Sequence, residues 1–360
     1  MPRSDERSEA VARLRGSSRE LISRLPESGE ALLVLTCGVV VINESYAYAK
    51  TVSGFEAEVD DRFIRCVYGV SHEAVHMVQL LSTRFVLDIA IEYANLCART
   101  QQHLKAGTPE KDWLAGLLTD YRATRSRFAA SGPGFSTLQV LETQAVIEGF
   151  RGAFSRYSEL GLAKTVQIAH GIESDYAEAI GRLLAGFGFS FTFNVVPKLC
   201  WLALHTPDPG KSFTQALLSL GDTDVSPLEI MSACEICDVF GAAPAGLARS
   251  MRVRIPAVRD HAVHALLGDY FDVLEQETDP EAYLQRVMHP GRSSGGERRV
   301  ALADLMPPLT IFNDDGFQMN GPLKDQGWDA ADPLIRISTL TTQTLEWLDE
   351  RADEMPSHPT

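Results

Sequence analysis

The stretch Ser71-His72-Glu73-Ala74-Val75-His76 constrains this chain more than any other. It reads H-E-x-x-H, and from Val67 to Ile91 its surroundings are mostly Val, Leu, Ile, Met, Phe and Ala, so the helix that carries it is expected inside the protein. Four residues advance a helix by about 400°, which leaves His72 and His76 roughly 40° apart on one face. Two imidazoles one turn apart can hold a single cation at about 2.0–2.1 Å per nitrogen. Glu73 stands one residue round, close to such an ion without being forced to bind it. That suits a carboxylate that takes a proton from a metal-bound water. A histidine pair can also simply hydrogen-bond inside a core. Buried polar groups need partners, however, and an ion would supply one for all three side chains together.

The 360 residues carry 45% hydrophobic content, enough for one large domain or two ordinary ones. A net charge of −15 and a pI near 5.1 argue against nucleic acid or an anionic membrane as partner. The charged N-terminus lacks the apolar core of a secretion signal, and the apolar run from Ala31 to Ile42 is shorter than the ~20 residues a membrane helix needs. A soluble, cytoplasmic protein is expected. Six cysteines (Cys37, Cys66, Cys97, Cys200, Cys234 and Cys237) lie in apolar segments. Cys234 and Cys237 form a C-x-x-C with no second pair at zinc-ribbon spacing and no thioredoxin-like strand before it, so they read as buried free thiols.

Period-two alternation is nearly absent along the chain, and a mainly α fold follows, built round the long buried H-E-x-x-H helix, with a minor β element possible near the N-terminus. Leucines at helical intervals suggest a surface helix over residues 5–25. The segment from Glu30 to Lys50 is ambiguous. Val39-Val40-Val41-Ile42 favours strand and the length favours a buried helix, to which the reading leans. Phe55 to Arg99 reads as one long helix or two joined end to end, and further helices are expected over 113–129, 136–157, 175–185, 195–205, 213–220, 227–239, 256–276 and 336–354. His261 and His264 share a face of one of them and read as surface residues. Residues 306–333, rich in Pro, Gly, Asn and Asp, are expected to wrap the surface. Residues 1–240 form the metal-binding domain on this reading, and 241–360 a C-terminal lobe and tail packed with it as one unit.

A catalytic zinc has three protein ligands and an open position for water. Residues 77–102 contain no histidine, so the third ligand is sought among carboxylates on a later helix, where Glu142 and Glu148 stand among apolar neighbours. These two lie about 120° apart round a helix and cannot face one ion equally. The solvated face of an ordinary amphipathic helix is the plainer account of both.

With Glu142-Thr143-Gln144-Ala145 added to the H-E-x-x-H, the sequence resembles the gluzincins, the thermolysin-like and aminopeptidase-like zinc metallohydrolases. The resemblance implies His72, His76 and Glu142 as ligands, Glu142 being favoured over Glu148 by its Ala145. It implies Glu73 as general base, zinc as cofactor, and hydrolysis of an amide or peptide-like bond in a small-molecule or peptide substrate. Such enzymes place a Tyr or His against the oxyanion, and His170 and Tyr176 are the candidates. Glu73-Ala74-Val75-His76 also resembles the E-x-x-H of ferritin-like di-iron oxygenases, which implies iron held by Glu44, Glu73, His76, Glu142 and Glu173. In that pattern Tyr176 stands where a second histidine belongs. A helical protein with a purely structural metal site is the third alternative.

Overall fold

The computed structural model describes residues 31–53, 61–129, 133–154, 174–221, 223–241, 261–276, 279–290, 306–313 and 316–354, with scattered positions between 12 and 23. The fold is mainly α, with one small four-stranded sheet. Strand β1 (Ala31–Val34) turns back into β2 (Val39–Ile42), antiparallel, with Leu33 opposite Val40. Gly38 closes the turn at φ 70°, where an added Cβ would stand 2.9 Å from Met77 Sδ. The turn is thus pressed onto the H-E-x-x-H helix, and only glycine fits there without strain.

Strand β3 (Leu309–Phe312) runs parallel to β2, Val39 opposite Leu309, and β4 (Phe317–Met319) completes the order β1-β2-β3-β4. Two expectations are corrected here. Residues 30–50 contain a hairpin, not a buried helix, and residues 306–333 enter the sheet before turning into helix. Both faces of β2 are covered. Val39 and Val41 join the main core, while Val40 and Ile42 pack with Leu33, Phe312 and Val70. A strand buried on two sides reads as a continuous apolar run without alternation, which is why its sequence resembled a core helix.

Helix α1 (Tyr46–Ser53) leads to α2 (Asp61–Ser82), which carries the motif. Thr83, extended at φ −121°, ψ 141°, bends the chain by 90° into α3 (Arg84–Ala106). Its hydroxyl donates back to the Gln79 carbonyl at 2.8 Å, which helps to satisfy the broken helix end. Helix α4 (Leu114–Ser126) packs on α3, and α5 (Thr137–Phe154) lies along α2. A reciprocal cap starts α5: Gln139 N–H donates to Ser136 Oγ, and Ser136 N–H donates to Gln139 Oε1, both at 3.0 Å.

Around this pair stand α6 (Ser174–Asn194, kinked at Gly188), α7 (Val196–Ala203), α8 (Pro209–Leu220), α9 (Ser226–Ile230) and α10 (Ala233–Val239). Helices α9 and α10 replace the single helix expected over 227–239. They part at Met231, where Ser232 and Glu235 form a capping box that starts a new helix. Helices α11 (His261–Glu275), α12 (Pro280–Met288), α13 (Gly321–Gln326) and α14 (Trp328–Glu354) follow.

One core cluster runs from Leu14 and Leu21 through Met77, Val78, Leu80 and Leu81 of α2 to Leu334 and Ile335 of α14. Burying each such side chain contributes about 1.5–3 kcal/mol. Leu14 and Leu21 are the buried side of a helical N-terminal stretch whose Arg15 and Arg19 are exposed, as expected of an amphipathic surface helix. The six cysteines are free. No single helix among the described residues is long and apolar enough to cross a membrane.

Candidate metal centre

Helices α2 and α5 approach closely because small residues face the crossing. A Cβ on Gly149 would lie 3.0 Å from the Tyr68 ring, and one on Gly152 would lie 2.4 Å from Ser71 Oγ. This contact brings Glu142, about two turns before Gly149 and three before Gly152 on α5, against the motif. His72 Nε2 is 3.2 Å and His76 Nε2 is 3.4 Å from Glu142 Oε2, and the two imidazole nitrogens are 3.1 Å apart. Among the described residues these three form the one group whose donor atoms converge, all within 4.8 Å of one another. Three ligands of a tetrahedral zinc at about 2.0–2.1 Å stand roughly 3.3–3.4 Å apart. The triangle therefore has the size a zinc ion needs. Two histidine nitrogens and one carboxylate oxygen are also the donor set that zinc accepts in catalytic sites.

The remaining ring nitrogens are held from behind. Tyr68 Oη lies 3.2 Å from His72 Nδ1, and Gln79 Oε1 lies 2.8 Å from His76 Nδ1. Both partners are one turn away on α2, at the spacing that lets helix side chains meet. In the metal-free protein, burial disfavours the His76 imidazolium. The charge of Glu142 and a hydrogen bond to it more than offset this and push His76 up to about 9. Burial alone would raise the Glu142 carboxyl, but the charge of His76 and hydrogen bonds from both histidines hold it well below the usual carboxylate range. The pocket thus binds a proton tightly between nitrogen and carboxylate.

Glu73 is outside the triangle. It is buried, and desolvation pushes its carboxyl up despite the nearby charges of His72 and His76. The Leu33 N–H of β1 donates to it, so the small sheet fixes this carboxylate. Glu148, the other candidate ligand, is fully buried on a different face of α5. His289 Nδ1 lies 2.8 Å from its Oε1, and Arg151 Nε lies 3.4 Å from the same oxygen. Burial holds His289 below its ordinary range even with that carboxylate beside it. The structure thus does not gather Glu148 with the histidines. The 120° offset along α5 turns it toward the end of α12.

Glu44, required by the di-iron arrangement, is paired with both Arg62 Nε, at 2.9 Å, and Arg62 Nη2. His170 and Glu173 lie outside the described residues, as do the side chains of Tyr176, His261 and His264. The supporting residues Tyr68, Gln79, Gln144 and His289 were not anticipated. Spacing of i−4 from His72 and i+3 from His76 could have pointed to the first two, whereas nothing local marks His289. The chain matches no protein-family model, no curated protein and no solved structure.

Proposed function

We propose that His72, His76 and Glu142 hold a zinc ion and that the protein is a zinc-dependent hydrolase of amide or peptide-like bonds, with Glu73 as general base. The observation that carries this reading is the triangle of His72 Nε2, His76 Nε2 and Glu142 Oε2, with edges of 3.1, 3.2 and 3.4 Å. Lone-pair atoms that close repel one another unless a cation, a proton or a metal, lies among them. Three converging donors, with no fourth among the described residues, support a catalytic site with an open position over a closed structural one.

A bound zinc would lower the pKa of its water toward about 7 and polarise a substrate carbonyl. Glu73, desolvated and steered by the Leu33 N–H, would accept the proton of the attacking water and pass it to the leaving amine. Its carboxyl, already pushed up by burial, is suited to hold that proton during turnover. The ionised Glu142 sets one negative charge facing the site, and in the metal-free protein it shares the proton held on His76. Partial exposure of the three ligand side chains (13%, 9% and 12%) provides access for substrate and solvent. Six free cysteines fit a reducing, cytoplasmic setting. The di-iron reading loses support because Arg62 already neutralises Glu44.

The test is Glu73→Gln in zinc-replete protein, assayed on a quenched peptide library. Zinc content should stay at wild-type level while turnover falls by at least ~10². Loss of metal instead would make Glu73 a ligand and move the assignment to the di-iron arrangement.

A further inference from the structure

Behind His76 lies a chain of two buried amides that joins three helices. His76 Nδ1 is 2.8 Å from Gln79 Oε1. Gln79 Nε2 donates to the Leu141 carbonyl and to Gln144 Oε1, both at 3.0 Å. Gln144 Nε2 in turn donates to the carbonyls of Val287 and Met288, at 3.4 and 3.2 Å, the last two residues of α12. Both glutamines are fully buried.

Backbone carbonyls only accept. Three of them, Leu141, Val287 and Met288, fix which end of each amide faces which way. A flipped Gln144 would set its oxygen against two carbonyls, and a flipped Gln79 would set its oxygen against Leu141. In the allowed orientation the group that meets His76 Nδ1, among the described residues, is the Gln79 carbonyl oxygen. Nδ1 must therefore carry a hydrogen, and in the neutral ring Nε2 is left bare toward Glu142 and His72.

We propose that Gln79 and Gln144 are positioning residues: an amide relay anchored on the C-terminal carbonyls of α12 that holds His76 in the one tautomer able to donate Nε2 to a metal. This rests on the metal reading above and extends it to residues that touch neither ion nor substrate. Gln144 belongs to neither the motif nor its helix, and it acts only through Gln79. The relay also couples the metal ligand to α12, so that displacing the end of that helix would reach His76 through two hydrogen bonds.

The test measures zinc affinity of the purified full chain by competition with a chromophoric chelator, with circular dichroism melting as the folding control. Gln79→Met removes the acceptor at nearly constant volume and should weaken zinc binding about 10–100-fold. Gln79→Glu keeps an acceptor for Nδ1–H and should restore most of that affinity, even though it lowers the melting temperature by leaving the Leu141 carbonyl and Gln144 Oε1 without their donor. Gln144→Met should give a smaller loss. The double variant Gln79→Met, Gln144→Met should bind no more weakly than Gln79→Met alone, because the hydrogen bonds link Gln144 to His76 through Gln79. A folded Gln79→Met that binds zinc as tightly as wild type overturns the relay while leaving the metal site in place. Losses that multiply in the double variant, or a Gln79→Glu as impaired as Gln79→Met, also overturn it. A wild type that takes up no zinc overturns both the relay and the metal reading.

Discussion

Zinc should compete with a proton for His76, and the structure sets the size of the effect. Despite its burial, His76 is pushed up to about 9 by the charge of Glu142 and the hydrogen bond to it. Below that pH, Nε2 carries a proton that a metal must displace. Glu142, held well below the usual carboxylate range, is already ionised and releases none. One displaced proton makes the affinity rise about tenfold per pH unit, or roughly 2 kcal/mol between pH 7 and 8.5, and level off above about 9. Isothermal titration of zinc into the metal-free chain, repeated in buffers of different ionisation enthalpy, counts that proton directly. Release of about one proton from His76 per zinc near pH 8, in addition to any lost by the zinc-bound water, with affinity climbing across the same interval, is the expected result. Proton-silent binding with a flat affinity would show that the ion does not take His76 Nε2, and the reasoning from the triangle would be refuted.

The packing that assembles the site can be probed at Gly152. An alanine there would set its Cβ 2.8 Å from Ser71 Cβ, so α2 and α5 must separate. The expected cost is about 1–3 kcal/mol, seen as a lower melting temperature together with weakened zinc binding; an unchanged melt would mean that the crossing is loose. His205 tests the acid limb. Both ring nitrogens are buried and unpartnered among the described residues, and burial pulls the imidazole down to about 3. Because the folded value lies below the unfolded one near 6.5, stability should fall by up to ~1.4 kcal/mol per unit as pH drops from 6.5 toward 3. His205→Phe should flatten that decline in urea melts at pH 4 and 6, and an equally steep decline would show that other groups dominate it. His72→Ala should sharply lower zinc content, since Glu142 and His76 alone leave the triangle open; an unaltered metal-to-protein ratio would remove the site.

The motif itself was legible because helical spacing is local: residues four apart share a face whatever the rest of the chain does. Glu142 was legible only as one of two candidates. The 120° offset excluded both from serving one ion but could not say which faced α2. Gly149 and Gly152 decide it, by letting the helices approach on the face that carries Glu142. The sheet was hidden for a different reason. Val39 to Ile42 are apolar on both faces, and their parallel partner Leu309–Phe312 arrives from the far end of the chain. No local pattern records that pairing. His289 on Glu148, 141 residues apart, is equally a product of tertiary packing. In the sequence Gln144 is only a letter between Glu142 and Ala145. Its role depends on which way a buried amide points, which carbonyls from another helix determine.

The central claim is that the pocket formed by His72, His76 and Glu142 exists to hold a metal ion. Crystals of zinc-replete protein, with diffraction recorded on either side of the zinc absorption edge, address it most directly. The expected result is a single anomalous peak contacting His72 Nε2, His76 Nε2 and a Glu142 oxygen, with Glu73 beyond bonding distance of the ion. An empty pocket whose imidazoles bond only to Glu142, or two neighbouring iron peaks that include Glu73, would contradict it.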